Sequence, residues 1–525
     1  MPLWMLYPPV FVAIYLLHLT LLRLPYFWDE GGYYIPAAWD FMRHGVLIPE
    51  TTVRNAHPPL PAVLLAAWWK IAGFQIYNTR LFMCFVTALA LLAVYRIGRS
   101  LAGDTVAAIT MVLTAIYPVW FAQSTLAHAD MFAAAATLWA LAMYFDGTVQ
   151  PQRKRVFCFL FFALSVMAKE TAIVTPAALA AYELWLCWSM RKDAEARRFH
   201  TAWFAWIAAT VLPLIAWYIY HRAKTGFTFG NPEYLRYNAT ANLGAKRIAL
   251  SLWHRLVHLT FHLNLYVVTL CTAAVLLLPP LRERDGDERT AVPAQALWPI
   301  AAILLANWIA FSVLGGALLT RYLLPMYPLL LLVCAAWWRQ RFKQWPVIAV
   351  IVLAGFAVAC EVNPNYPYAP EDNLAYRDMI VLHQQAIHLV ATRWPQATVL
   401  TAWPVAADII RPELGYVKTP LRMTPLENFS AQEIVKAMGE QDRFDTAIVF
   451  STKYVPPGTA TNTHFLGPSR NDARYFDFHD DLRPTEIARL LHGQIAWESQ
   501  RKGEWAAVIR FPRAVDAQLR LPQLP

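Results

Sequence analysis

Two adjacent carboxylates, Asp29 and Glu30, stand in "FWDEGGYY" (27–34), directly after the first long apolar run of the chain. A carboxylate within hydrogen-bond reach of a hydroxyl can take its proton while the oxygen attacks carbon, so this pair suits general-base chemistry. An aspartate here would equally cap a helix beginning near Tyr33. Further groups of the same kind recur along the chain. They are His57 in "AHPPL" (56–60), His128 and Asp130 in "TLAHADMF" (125–132), Lys169 with Glu170, His221 with Arg222, and Arg321 with Tyr322 in "TRYLLPMYP" (320–328). Each also has an ordinary explanation. His57 before two prolines suits the first turn of a helix at an interface. Lys169 and Glu170 suit a local pair, and Arg321 could snorkel to headgroups. Asp130 lies inside its apolar run, deeper than an easy cap.

What must position these groups follows from composition. The 525 residues are 58% hydrophobic and only 15% charged, whereas a soluble globular chain carries about a quarter charged residues. Apolar runs of bilayer-spanning length recur through residue 361. The runs are 3–22, 80–98, 104–121, 126–145, 155–169, 171–190, 201–220, 257–279, 297–315, 321–338 and 345–361. They predict an α-helical polytopic membrane protein with about 11 transmembrane helices. Placing a charge at the bilayer centre costs roughly 2.5–3.5 kcal/mol, and the charged candidates gather instead at one level, the outer edge. The interior exceptions are Asn307 and, nearer the inner end, Glu183.

Orientation comes from the short connections rich in Arg and Lys. Arg96 and Arg99; Arg153, Lys154 and Arg155; Arg191, Lys192, Arg197 and Arg198; Arg282, Arg284 and Arg289; and Arg339, Arg341 and Lys343 all fall on one side. The positive-inside tendency makes that side cytoplasmic, with a cytoplasmic N-terminus and an outer tail; Arg23, on the outer side, runs against it. The expected location is a bacterial inner (plasma) membrane. The first run lacks a basic n-region and a small-residue cleavage site, and reads as a retained span. The net charge of +10 reads as loop charge beside anionic membrane lipids, not as a nucleic-acid surface. The six cysteines have no ligand spacing and predict neither a disulfide framework nor a zinc knuckle.

Two outer segments are too long to be turns. In 23–79, "PPLPAVLLAAWWKIAGF" (58–74) predicts interfacial helices, with Trp68 and Trp69 at headgroup level. Residues 221–256 combine a turn-rich piece with a helix having basic and apolar faces. After residue 361 the composition becomes polar. "ATVLTAW" (397–403) and "FDTAIVFS" (444–451) predict buried strands, "SAQEIVKAMGEQ" (430–441) a helix, and 496–513 a hairpin turning near Lys502 and Gly503. The domain division is therefore a transmembrane domain, 1–361, and an extracytoplasmic α/β domain, 362–525. The tail shows no phosphate loop and no His/Cys cluster. "NAT" (238–240) and "NFS" (428–430) are formal glycosylation acceptors.

An acidic pair after span one, an HPPL motif some residues later, an acid opening a later span and "RYLLP", in this order, resemble the C-superfamily glycosyltransferases. Within it the protein O-mannosyltransferase and lipid A aminoarabinose transferase group is the most similar. "LSVMAKETAIVTP" (164–176) resembles the group's lysine-bearing outer turn, and the resemblance covers residues 1 to about 360. It implies transfer, with inversion, of a sugar from a polyprenyl-phosphate carrier to a protein, lipid or glycan acceptor on the outer face. It makes Asp29 the catalytic carboxylate, Glu30 its supporting neighbour and Asp130 a second acid arranging the pocket. Lys169, Glu170, His221, Arg222, Arg321 and Tyr322 become candidates for binding the substrate. His57 occupies the position before the double proline, as in the mannosyltransferases; the aminoarabinose transferases carry Glu-Lys there. Ala56 replaces that metal-binding glutamate. No zinc is therefore predicted, and a divalent metal stays open with its ligands unknown.

Two other classes fit a polytopic chain. A transporter or flippase shows repeats and binding groups near the midplane on broken helices; no repeat is visible here and the polar groups lie at one rim. A membrane-anchored scaffold leaves those polar groups unexplained. Within enzymes, a glycan polymerase or ligase using polyprenyl-diphosphate donors is the alternative.

Overall fold

The computed structural model describes residues 3–235, 243–283, 286, 288–289, 291–314, 318–366, 368–452, 454, 475–476 and 481–511. The "NAT" acceptor and Arg284 lie outside them. Two compact units emerge: Met1–Leu22 with Tyr34–Val362, and Arg23–Tyr33 with Asn363–Pro525.

The first unit is helical. Its helices are α1 (Leu3–Leu17), α2 (Ile35–His44), α3 (Leu60–Ala72), α4 (Ile76–Ala102), α5 (Asp104–Ile116), α6 (Pro118–Gln123), α7 (Ala129–Phe145), α8 (Pro151–Ala168) and α9 (Val174–Ser189). There follow α10 (Ala194–Ala208), α11 (Val211–Thr225), the short α12 (Pro232–Leu235), α13 (Ala245–Thr260), α14 (Leu265–Leu276), α15 (Ala294–Val313), α16 (Met326–Arg341) and α17 (Trp345–Glu361). Each apolar run of the sequence contains an α-helix, the first of them ending at Leu17. Among the described residues four helical segments are long and apolar enough to cross a membrane: Ile76–Ala102, Glu170–Ser189, Ala194–Thr225 and Ala294–Val313. A fifth is the bent pair Ala245–Thr260 and His262–Leu276. Leu3–Leu17, Asp104–Ile116, Ala129–Phe145 and Trp345–Glu361 are shorter apolar helices.

Three expectations change in detail. The run 104–121 is not continuous: Tyr117 is extended (φ −58°, ψ 125°) before Pro118, which disfavours helix at the residue preceding it. The run 257–279 breaks where Leu263 and Asn264 take φ 47° and 68°, and Asn264 Nδ2 secures the break by donating to the Gly355 carbonyl at 2.8 Å. Trp69 is buried, with its indole donating to Thr79 Oγ1, and Trp68 donates to the Asn78 carbonyl. Both indoles therefore fasten α3 to the start of α4, a packing role that the sequence reading did not include. Small residues let helices approach, as where a Cβ on Gly98 would stand 2.7 Å from Ala107 Cα. The two interior polar residues are paired: Asn307 Nδ2 donates to Thr175 Oγ1 at 3.1 Å, and Glu183 accepts from Tyr144 and contacts His200 Nδ1 at 2.7 Å. All six cysteines are free.

The second unit is α/β. Helix α18 (Ala375–Arg393) precedes β1 (Thr398–Ala402), α19 (Val405–Asp408), β2 (Arg422–Leu426), α20 (Ala431–Met438), β3 (Thr446–Phe450), a helix at Pro484–Leu490, β4 (Gln494–Arg501) and β5 (Glu504–Arg510). The sheet order is β2-β1-β3-β5-β4, with β2, β1 and β3 parallel and β5 antiparallel to both neighbours. β3 is buried throughout and β1 almost so, as continuous apolar runs require. β2, at the edge, escapes sequence reading because it contains Pro425, which an edge strand tolerates. The β4–β5 turn places Lys502 and Gly503 at φ 46° and 97°, the paired positive φ that a two-residue hairpin demands.

Candidate active site

In the first unit, α7 and α8 lie side by side, joined where Ser165 Oγ meets Thr137 Oγ1 at 2.6 Å and the Ala133 carbonyl at 3.1 Å. This pairing fixes the ends of the two helices. α8 stops at Lys169, whose backbone turns extended. α7 begins after His128, so Asp130 stands in its first turn, where the helix dipole favours a carboxylate. The sequence placed Asp130 deeper because the run was taken to begin at residue 126, yet residues 126–128 belong to the turn between α6 and α7.

Lys169 Nζ donates to Asp130 Oδ1 at 2.6 Å, and Arg321 Nε stands 3.4 Å from Asp130 Oδ2. All three side chains are buried. Arg321 sits on a single 3₁₀ turn, Thr320–Leu323, which Trp120 holds by donating to the Leu324 carbonyl at 3.0 Å. The Lys169 ammonium also lies 4.0 Å from the centre of the Tyr322 ring, a cation–π contact. One carboxylate thus faces two cations, an arrangement that suits an anionic ligand.

Sequence reading missed Arg255. It is buried on α13, its guanidinium donates to the Leu319 carbonyl at 2.6 Å, and its Cζ lies 5.8 Å from the Tyr322 ring centre. The signal was present: Arg247, Ser251 and Arg255 recur at helical spacing, and all three are buried. Arg80, also missed, holds the turn before α7 by donating to the Thr125 carbonyl at 2.7 Å. His128 Nδ1 lies 2.8 Å from Gln123 Oε1 and 3.3 Å from Arg321 Nη1.

His57 Nδ1 meets the Glu170 carboxylate at 2.9 Å. The loop carrying His57 is held from three sides. Trp217 Nε1 donates to the Ala56 carbonyl at 2.9 Å, Asn55 Oδ1 accepts from the His57 amide, and Asn55 bridges to Gly230. A Cβ on Gly230 would stand 2.7 Å from the Ala56 nitrogen, so only glycine permits this approach at φ +82°. Tyr34 has its ring 6.5 Å from that of His57 and 6.0 Å from that of His128.

His221 and Arg222 do not join the Asp130 group. His221 Nδ1 meets the Phe227 carbonyl at 2.7 Å, and exposed Arg222 donates to Thr228 Oγ1 at 3.2 Å. Both close the C-terminal end of α11, where Gly226 turns the chain. Local hydrogen bonds absorb both.

Asp29 and Glu30 belong to the second unit. Trp28 precedes them at φ 48°, a conformation that costs a bulky residue roughly 1–3 kcal/mol. A π-helical turn, Glu30–Tyr34, follows and runs into α2. Such turns occur frequently at functional sites. Glu30 is fully buried and its Oε2 accepts from the Phe27 amide at 2.8 Å, so it shapes the loop; Asp29 is half-buried. Nearby in this unit, burial pushes the Asp408 carboxyl well above the usual carboxylate range and lowers His383 to about 3. The two side chains stand 4.0 Å apart, and burial disfavours the charged form of each. Among the described residues no three His, Cys, Asp or Glu side chains are grouped as a metal ion would need.

Residues 56–219 match the family described as dolichyl-phosphate-mannose-protein mannosyltransferase. No functionally curated protein matches the whole sequence. The fold is similar to that of ArnT from Cupriavidus metallidurans bound to undecaprenyl phosphate, with a TM-score of 0.56 at 13% identity over 96% of this chain and 97% of that one. The apo form of the same enzyme gives a TM-score of 0.55 at 13% identity, with coverage of 96% and 97%. The Archaeoglobus fulgidus oligosaccharyltransferase in complex with Zn and sulfate gives 0.47 at 10% identity, covering 84% of this chain and 68% of that one.

Proposed function

We propose that this chain, a multi-pass membrane protein with the fold of the C-superfamily glycosyltransferases, transfers a sugar with inversion from a polyprenyl-phosphate carrier to an acceptor hydroxyl. The observation that carries the reading is the buried Lys169–Asp130–Arg321 group, whose two cations suit the carrier phosphate. The likeness to an enzyme bound to undecaprenyl phosphate supports a lipid monophosphate as that anion. Residues 1–361 would form the membrane domain. The N-terminus would be cytoplasmic, and residues 362–525 extracytoplasmic at a bacterial plasma membrane.

In this reading the Asp29 carboxylate accepts the acceptor's hydroxyl proton as that oxygen attacks C1 of the sugar. The bond from C1 to the phosphate oxygen breaks on the opposite face, and its electron pair leaves with the polyprenyl phosphate. Lys169, Arg321 and Arg255 meet the charge that develops there, and because they are fixed in advance they need no reorganisation at the moment of reaction. Asp130 holds Lys169 and Arg321 in place, and Tyr322 backs the ammonium. His57 and Glu170, already hydrogen-bonded to each other, present donor and acceptor atoms to sugar hydroxyls. Asp29 then returns its proton to water.

Donor specificity tests the reading. Purified protein in lipid vesicles is given labelled sugar on a polyprenyl monophosphate, on a polyprenyl diphosphate or on a nucleotide, with membrane extract as acceptor source. Transfer from the monophosphate alone is expected. Transfer from a nucleotide sugar, or from the diphosphate alone, contradicts it.

A further inference from the structure

Residues 23–33 are continuous in sequence with the helical unit at both ends, yet they pack as part of the tail's α/β unit. Four contacts make the attachment. The Tyr26 amide donates to the Leu414 carbonyl at 3.1 Å. The rings of Phe27 and Tyr376 lie 5.7 Å apart, and Tyr26 and Phe27 are buried. Gly31 faces Leu414 so closely that a Cβ would stand 3.1 Å from Leu414 Cδ1. Gly32 lies under the indole of Trp403, where a Cβ would come within 2.2 Å of Cη2 and 2.5 Å of Cζ2. The two glycines of "FWDEGGYY" are thus seats for two tail side chains, one residue and two residues beyond Glu30.

We propose that the tail unit positions the carboxylate pair, with Trp403 and Leu414 as the positioning residues that set where Asp29 stands. The inference rests on Asp29 being the base. Its physical basis is the strained Trp28: a left-handed tryptophan persists only where surrounding contacts over-determine it. Contacts clamp the segment on both sides of Asp29, Tyr26 and Phe27 before it and Gly31 and Gly32 after it. A reacting group misplaced by about 1 Å can lose roughly 100-fold in rate. The tail, which offers no catalytic chemistry by sequence, therefore acts on turnover by geometry.

The test is a size-complementation series in full-length protein, measured as kcat and KM per folded molecule. Gly32→Ala forces its methyl into the Trp403 indole, and kcat should fall at least 10-fold with KM for the lipid donor unchanged. Adding Trp403→Leu vacates the ring's space, and the double variant should recover most of that loss. Leu414→Ala, which removes bulk instead of adding it, should also lower kcat without raising KM, and serves if Gly32→Ala does not fold. Asp29→Asn is measured alongside. If Asp29→Asn is inactive while Gly32→Ala and Leu414→Ala keep wild-type kcat, the positioning role is overturned and the base assignment stands. If the loss in Gly32→Ala is as deep in the double variant as in the single one, the positioning role is also overturned. If Asp29→Asn turns over normally, the base assignment fails and takes the inference with it.

Discussion

Lys169 Nζ and Asp130 Oδ1 are 2.6 Å apart, buried together where α8 ends and α7 begins. Removing one member of such a pair leaves an uncompensated buried charge, worth about 3–5 kcal/mol. Asp130→Asn should lower the thermal midpoint of the detergent-solubilised protein sharply, because Lys169 and Arg321 then lose the carboxylate they share; Lys169→Met, which leaves Asp130 against Arg321, should lower it less. The Asp130→Asn/Lys169→Met double variant should be more stable than Asp130→Asn alone and show no transfer activity. A double variant no more stable than Asp130→Asn would show that Lys169 and Asp130 do not act as a pair.

Arg321 and Arg222 were equivalent candidates in sequence, and the structure separates them. Arg321 stands 3.4 Å from Asp130 in the buried group, whereas Arg222 is exposed on Thr228. Losing a charged hydrogen bond to the donor phosphate costs about 1.5–3 kcal/mol. Arg321→Ala should therefore cut kcat/KM by roughly 10- to 100-fold, at about 1.4 kcal/mol per factor of ten. Arg222→Ala should stay within about two-fold of wild type, a spread of under 0.5 kcal/mol. Equal losses in both would remove the distinction.

These two arginines also show what the sequence could and could not say. Run length and charge placement brought both to one end of the bundle, since spans of fixed length leave few places for a charge. Which charges converge depends on helix rotation and on short turns, which leave no periodic trace. Arg255 was hidden for the same reason, inside a helix read as amphipathic. The fate of residues 23–33 was less legible still, because their partners Tyr376, Trp403 and Leu414 lie far along the chain. The order of DE, HPPL, Asp130 and RYLLP gave the fold class without giving that packing.

The tail carries its own pH dependence. Glu504, at the start of β5, is fully buried; burial pushes its carboxyl up to about 7, partly offset by a hydrogen bond from Ser451 Oγ. A carboxyl raised in the folded state binds more protons folded than unfolded, so its contribution is present below the ordinary value of 4.5 and is lost as pH rises toward 7. His383, held down to about 3, acts in the opposite sense, so the informative quantity is a difference between variants. Glu504→Gln should gain on wild type in thermal midpoint steadily from pH 4.5 to 7, by the equivalent of about 3 kcal/mol at most. A midpoint difference that is flat with pH would contradict the assignment.

The central claim is that Asp29 accepts the acceptor's proton. It is tested most directly by the rate of sugar transfer from a polyprenyl-phosphate donor by Asp29→Asn protein reconstituted in vesicles, with donor binding measured on the same sample. The account predicts that binding persists while transfer falls by about 100- to 10,000-fold, the usual worth of a general base. Transfer within a few-fold of wild type would contradict it.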